Sequence, residues 1–171
     1  MIKDSGDRTQ FETGAVRDMH GGKGRCDLLP LDVINELWTS YEKIKETPVE
    51  PYTYILFYIE KYKMTNHAKY IEEALICFIR NRWSCFEDAA LELAIHYEEG
   101  CQKYGENNWK RGIPVHCYVD SAIRHFIKYS RGDADERHDR AFVWNLVCLL
   151  WTVMNKPDMN DINPKEHLGE Q

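Results

Sequence analysis

Two adjacent glutamates, Glu98 and Glu99, end a mostly apolar stretch of the chain, ALELAIHY, and precede a turn that contains glycine and aromatic residues. In a helix, Glu99 would share a face with Glu92, His96 and Gln102, because these positions follow a spacing of three and four residues. Acids on a solvent-facing helix are normally scattered among lysines, whereas these two follow what looks like core. Their position therefore raises the possibility of a chemical role.

A second acidic pair, Glu136 and Asp139, is three residues apart, so a helix would also place both side chains on one face. Carboxylates gathered beside apolar segments repel each other and lose hydration. A divalent cation with a preference for oxygen ligands, Mg²⁺ or Mn²⁺, would offset both costs. Spacing alone leaves two simpler alternatives open: the glutamates face water, and the second pair favours the dipole at a helix start.

Basic side chains occur around both acidic pairs, which is typical of a site for a phosphate ester or anhydride. They are Lys23, Arg25, Lys103, Arg124 and Lys128. The alternative for Arg124 is an ordinary surface pair with Asp120, four residues earlier, worth a few tenths of a kcal/mol.

The elements that must position these residues are helices. Apolar residues recur at three- and four-residue spacing, and no alternating strand pattern is found. Helices are predicted from residue 31 to the TPVEP segment at 47–51, and over about 52–62, 68–83, 87–103, 115–128 and 136–154. The fold class is therefore all-α. We predict an arm or loop at 1–25, a single domain at 26–156 in which 47–83 is a possible helical insertion, and a flexible tail at 157–171.

Composition narrows the class of protein. The net charge of −6 and the pI near 5.6 argue against a nucleic-acid binder, which would show a basic face. No apolar run reaches the roughly 20 residues that a membrane-spanning helix needs. The first ten residues, MIKDSGDRTQ, do not contain the apolar region typical of a signal peptide, and the six cysteines form no CxxC pair, so we expect reduced thiols in the cytoplasm.

The order of these motifs resembles a known family. The segments EExxQ at 98–102 and ExxD at 136–139 are similar to the EExxE and ExxD signature of the all-α MazG-like nucleoside triphosphate pyrophosphohydrolases. A closer resemblance is to the dATP/dGTP diphosphohydrolase group, often encoded by phages and bacteria. It rests on GGKGRCDLLP, EEGCQKYGENNWKRG and YVDSAIRHFIKYSRGDADERHDRAFVWNL, about a third of the chain.

The resemblance implies a helical bundle, a homodimer or larger assembly such as a tetramer, and hydrolysis between the α and β phosphates of a nucleoside triphosphate. It implies Mg²⁺ or Mn²⁺ on four acids, of which Glu99 or Glu98 would also act in catalysis: Glu98, Glu99, Glu136 and Asp139. It also implies eight substrate contacts, for phosphates or nucleoside: Lys23, Arg25, Lys103, Asn108, Trp109, Arg124, Lys128 and Asn145.

Two departures from the family pattern keep other functions open. Gln102 replaces the third motif glutamate, so Glu92 or His96 would have to supply the missing ligand, or the protein binds a nucleotide without cleaving it. The segment 47–83 has no place in the compact family core. A third interpretation starts from His138 and Asp139, since an HD dipeptide is typical of helical phosphohydrolases that release tripolyphosphate; it would require a downstream ligand such as Asp161.

Overall fold

The computed structural model describes residues 8–18 and 21–164. Six α-helices account for most of this chain: α1 (Leu31–Ile44), α2 (Thr53–Thr65), α3 (Lys69–Arg82), α4 (Phe86–Tyr104), α5 (Val115–Arg131) and α6 (His138–Asn155). The predicted all-α class is confirmed. Short 3₁₀ turns cover Cys26–Leu28, Asn108–Arg111 and Pro157–Met159. The N-terminal arm adds a small antiparallel hairpin of β1 (Arg8–Gln10) and β2 (Val16–Asp18), which the sequence did not indicate.

Helix α6 lies at the centre of the bundle. It is apolar nearly all round, as the sequence indicated, and a helix of that composition must be enclosed by other elements. Its Phe142 is fully buried and lies 4.5 Å, between ring centroids, from Phe78 of α3 and 5.6 Å from Phe126 of α5. The bundle therefore closes around α6 from at least two sides.

Helix α5 shows how the sequence pattern produces this packing. Its apolar stripe is buried, and the burial of each large side chain contributes about 1.5–3 kcal/mol to stability. The stripe consists of Val115, Tyr118, Val119, Ala122 and Phe126. The helix ends at Gly132, whose φ of +86° is the left-handed conformation that glycine adopts without strain. The opposite face stays polar, so the helix contacts α6 with one side only.

The segment at 47–83 shares this core. Ile55 and Ile59 of α2 and Leu75 and Phe78 of α3 are fully buried in the same apolar cluster as α6. Ile162, which is partly buried, packs against this cluster from the region predicted to be a flexible tail. The described part of that tail, up to residue 164, therefore packs in part against the core. Residues 165–171 of the predicted tail lie outside the described residues.

Two boundary details matter for the site. Helix α4 extends to Tyr104 and is capped by Gly105, whose N–H donates to the carbonyl of Cys101 at 2.9 Å. Helix α6 begins at His138 and not at 136, so Glu136 lies in the turn before the helix. Within the described ranges, no helix combines the length and the apolar character needed to cross a bilayer.

Candidate functional site

A pocket of about 520 Å³ opens between the second half of α4, the 3₁₀ turn after it, α5 and the start of α6. This volume is in the range of sites that bind small molecules of nucleotide size. Six of the residues predicted from the sequence line it: Glu99, Lys103, Asn108, Trp109, Glu136 and Asn145. These residues come from three separate stretches of the chain, and the packing of α4 against α6 brings them together.

One wall of the pocket is aromatic. Trp109 is largely buried, with its ring centroid 4.8 Å from Trp151 and 5.5 Å from Tyr97. Trp144 of α6 and Tyr104 at the end of α4 also line the pocket. The neighbours of Trp144 in the sequence are apolar, and only the tertiary structure shows that its side chain lines the pocket. Aromatic faces of this kind are suited to stacking against a nucleobase.

Another part of the pocket lining is polar. The Glu99 side chain is 55% exposed; its Oε1 lies 3.3 Å from Nη1 of Arg140 and its Oε2 lies 3.6 Å from Nδ1 of His96. Burial lowers the pKa of His96 to about 4, so its imidazole is neutral near pH 7. His96 was one of two proposed substitutes for the missing motif glutamate, and it does line the pocket.

Glu98, the neighbour of Glu99, faces a different part of the molecule. It is only 7% exposed, and its two carboxylate oxygens accept hydrogen bonds from the backbone N–H groups of Gly22 (2.9 Å) and Gly24 (2.8 Å). The N–H of Arg25 donates to the carbonyl of Ala94 at 3.0 Å. Glu98 therefore attaches the GGKGR loop to α4.

Gly24 is required for this close approach. Its φ is +83°, and a Cβ atom there would lie 2.9 Å from the backbone nitrogen of Ile95. Any other residue would be strained and would push the loop away from α4. The glycines of the motif thus have a geometric role that their spacing alone did not reveal.

The attached loop forms one side of a second, more open groove of about 750 Å³. Lys23 and Arg25 line it together with Gln102, and Cys101 borders both this groove and the pocket. Arg25 is paired with Asp27 (2.6 Å) and with Glu106 (3.0 Å). Gln102 thus lies on the groove side of α4, although helical spacing had placed it on the same face as Glu99.

Asp139 lies in a cluster of arginines. Its Oδ2 accepts from Arg82 (2.7 Å to Nη2) and from Arg137 (2.9 Å), and its Oδ1 accepts from the backbone N–H of Arg140. Burial by itself would raise the pKa of Asp139, but hydrogen bonds from Arg137, from the Arg140 backbone and from Arg82 lower it to about 2. The carboxylate is therefore ionised and already compensated by positive charge.

Glu92, the other proposed substitute ligand, belongs to the same cluster. Arg140 donates to it at 2.5 Å and Arg137 at 3.0 Å. Because Arg140 also contacts Glu99, this arginine connects the cluster to the pocket wall. This role could not be predicted from the sequence, since the partners are more than forty residues apart in the chain.

Arg124 and Lys128 are engaged on the polar side of α5 and do not line the pocket. Nη1 of Arg124 lies 2.7 Å from Asp120, which is the surface pair considered as the alternative. Nζ of Lys128 lies 2.8 Å from Asp135. A role for either residue as a phosphate contact stays a prediction.

A comparison with known families decides the relationship that these motifs suggested. The family described as "dATP/dGTP diphosphohydrolase, N-terminal" matches residues 60–162, which is more than half of the chain. The chain belongs to this family. No curated protein and no solved structure matches it.

The matched range of this diphosphohydrolase family covers most of the pocket. It begins within α2 and includes α3 to α6, so Glu99, Trp109, Glu136 and Asn145 all lie inside it. The GGKGR loop, with Lys23 and Arg25, lies outside it. The pocket therefore lies mostly within the matched range, and the loop lies outside it.

Proposed function

We propose that the protein hydrolyses deoxynucleoside triphosphates, dATP or dGTP above all, between the α and β phosphates in a metal-dependent reaction. The products are a nucleoside monophosphate and pyrophosphate. The observation that carries the proposal is the pocket itself, which combines an aromatic wall with carboxylates in a chain of the dATP/dGTP diphosphohydrolase family.

The pocket carboxylates fit a divalent cation. Glu99 and Glu136 are 55% and 50% exposed, and both present carboxylate oxygens to the pocket. A bound Mg²⁺ or Mn²⁺ would lower the pKa of a water molecule and offset the charge of the phosphates. Glu98 and Asp139 already accept hydrogen bonds from the loop and from the arginines, and their role as ligands stays a prediction.

The remaining pocket residues account for substrate binding. Trp144 is only partly buried and provides a face for the base, and Asn108 provides polar atoms in the same pocket. Trp109 is largely buried and supports the aromatic wall. The amide of Asn145 is fixed by a hydrogen bond from its Nδ2 to the carbonyl of Ala141 at 2.8 Å. Lys103, at the rim, offers positive charge to the phosphates.

Glu99 is the proposed proton acceptor for the attacking water. Its Oε1 lies 3.3 Å from Nη1 of Arg140 and its Oε2 lies 3.6 Å from Nδ1 of His96, and these contacts orient the carboxylate. A partly exposed carboxylate in the pocket wall is the kind of group that acts as a general base. Lys23 and Arg25 line the neighbouring groove, and their role as contacts for the phosphates stays a prediction.

Product analysis tests the proposal. The protein is incubated with each ribonucleoside and deoxynucleoside triphosphate in Mg²⁺, Mn²⁺ or EDTA, and products are identified by ³¹P NMR. We expect monophosphate and pyrophosphate, lost in EDTA, and a fall in kcat of about 100-fold or more for Glu99→Gln. Glu87→Gln, an exposed glutamate in the first turn of the same helix, is the matched control.

Two other outcomes would each overturn the proposal in favour of an alternative. Tight binding without turnover would make the protein a nucleotide-binding module, with Gln102 as the first residue to restore to glutamate. Tripolyphosphate as product would support the HD-type reaction. Against that reaction, Asp139 is held by arginines, and Asp161 contacts His116 at the start of α5.

A further inference from the structure

Two histidines and one of the predicted acids, His125, His138 and Glu136, converge where α5 passes the start of α6. Nδ1 of His125 lies 3.1 Å from Nδ1 of His138, and each of these nitrogens lies 3.3 Å from Oε1 of Glu136. The three atoms form a nearly equilateral triangle. We call this group the His–Glu–His triangle.

The sides of the triangle match the spacing of ligands around a metal ion. With bonds of about 2.1 Å, neighbouring ligands are about 3.0 Å apart in octahedral geometry and about 3.4 Å apart in tetrahedral geometry. The three separations, between 3.1 and 3.3 Å, fall between these limits. An ion placed just above the plane of the triangle would contact all three atoms without any movement of the side chains.

The partner of His138 on its other ring nitrogen supports the same conclusion. Nε2 of His138 lies 2.8 Å from Oδ1 of Asp135. An ionised carboxylate can only accept, so the ring proton belongs on Nε2, and the lone pair of Nδ1 points into the triangle. A carboxylate that holds the remote nitrogen of a ligating histidine is a common companion of metal sites. His138 is only 1% exposed, so its orientation is fixed by packing.

We propose that the His–Glu–His triangle binds one divalent first-row transition ion, such as Mn²⁺, Fe²⁺, Co²⁺ or Zn²⁺. Two imidazoles and one carboxylate favour these ions over Mg²⁺, which takes oxygen ligands. Three ligands on one side leave the remaining coordination positions open, as in sites that bind a substrate. Because His125 and Glu136 line the pocket, the open side is next to the substrate space.

This site deepens the proposed function by adding nitrogen ligands to the metal that acts there. Its use in catalysis rests on the proposed function, whereas binding of a metal ion at the triangle is independent of that function. A competing arrangement would place the ion on the other side of His138, with Asp133 and Asp135. These two acids are already paired with Arg131 and with Lys128, which makes them poorer ligands.

Binding of Mn²⁺ alone tests the site. Titration followed by electron paramagnetic resonance gives affinity and stoichiometry, and the spin-echo modulation of bound Mn²⁺ detects coupling to imidazole ¹⁴N. We expect one tightly bound ion per chain with ¹⁴N coupling, and affinity weakened at least about tenfold in His125→Gln and in Glu136→Gln. His67→Gln, an exposed histidine between α2 and α3, is the matched control and should bind as the unchanged protein does.

The variants also separate the possible failures. The absence of ¹⁴N coupling, or full affinity in both His125→Gln and Glu136→Gln, would overturn the site. Loss of the ion in Asp133→Asn with full binding in Glu136→Gln would also overturn it, in favour of the other side of His138. Nucleotide turnover is measured in the same samples: ¹⁴N-coupled Mn²⁺ without hydrolysis supports the site while refuting the proposed function.

Discussion

Replacing Glu98 with glutamine separates its structural role from the role that its motif suggests. The Glu98 carboxylate accepts two backbone hydrogen bonds, from Gly22 at 2.9 Å and from Gly24 at 2.8 Å. A glutamine keeps one acceptor oxygen and turns an NH₂ group towards the other glycine N–H. One hydrogen bond is therefore lost, and the remaining one is made to a neutral acceptor. A hydrogen bond to a charged group contributes about 1.5–3 kcal/mol, and we expect Glu98→Gln to weaken loop attachment by that amount.

The effect is measured by amide hydrogen exchange. At room temperature, a loss of about 1.5–3 kcal/mol corresponds to exchange of the Gly22 and Gly24 amides that is about 13- to 160-fold faster. Core amides in α6 should exchange at their original rate, because the loop can detach without unfolding the bundle. Glu99→Gln is the control: the neighbouring side chain makes no hydrogen bond to the loop, and the two glycine amides should stay protected.

Unchanged protection of both glycine amides in Glu98→Gln would refute this reasoning and would return Glu98 to its role as a candidate ligand. Faster exchange together with an unchanged affinity for Mn²⁺ would show that Glu98 positions the loop and does not bind the ion. Lys23 and Arg25 belong to the same loop, so we also expect KM for a nucleoside triphosphate to rise more than kcat falls.

Two further predictions concern the arginine cluster and the aromatic wall. Since the pKa of Asp139 in the folded protein, about 2, is below its ordinary value of 3.8, its contribution to stability is present above pH 4 and lost as pH falls from about 4 to 2. Asp133, Asp135 and Asp161 also have lowered pKa values, so the unchanged protein and Asp139→Asn should both lose stability in acid. In urea unfolding, the loss between about pH 4 and 2 should be smaller in Asp139→Asn by about 2 kcal/mol. Asp120→Asn, which removes an exposed pair, should lose as much as the unchanged protein, and equal pH dependence in all three proteins would contradict the assignment. Trp144→Leu should weaken binding of a deoxynucleoside triphosphate by about tenfold or more, because base stacking on an aromatic ring contributes about 1–3 kcal/mol. Calorimetric titration measures the affinity, and Trp38→Leu, outside the pocket, is the control. Equal affinity in both variants would remove Trp144 from the base site.

The helices could be predicted because their signals are local. The stripe on α5, the all-round apolar composition of α6 and the stop at Gly105 each depend on residues within a few turns of one another. The hairpin of β1 and β2 escaped prediction because three-residue strands are too short to show a period. The start of α6 was placed two residues early, since the ExxD spacing suggested a helix where the chain still forms a turn.

The sequence by itself determined the helices, the family and the set of chemically active residues, because these depend on residue types and on spacing along the chain. Only the tertiary structure decided what each residue faces. Adjacent positions on a helix point about 100° apart, so Glu98 meets a loop from 74 to 76 residues earlier while Glu99 faces the pocket. Asp139 meets Arg82, 57 residues away. Periodicity fixes the face of a helix on which a side chain lies, but the partner across from that face comes from a distant part of the chain and is set by packing alone.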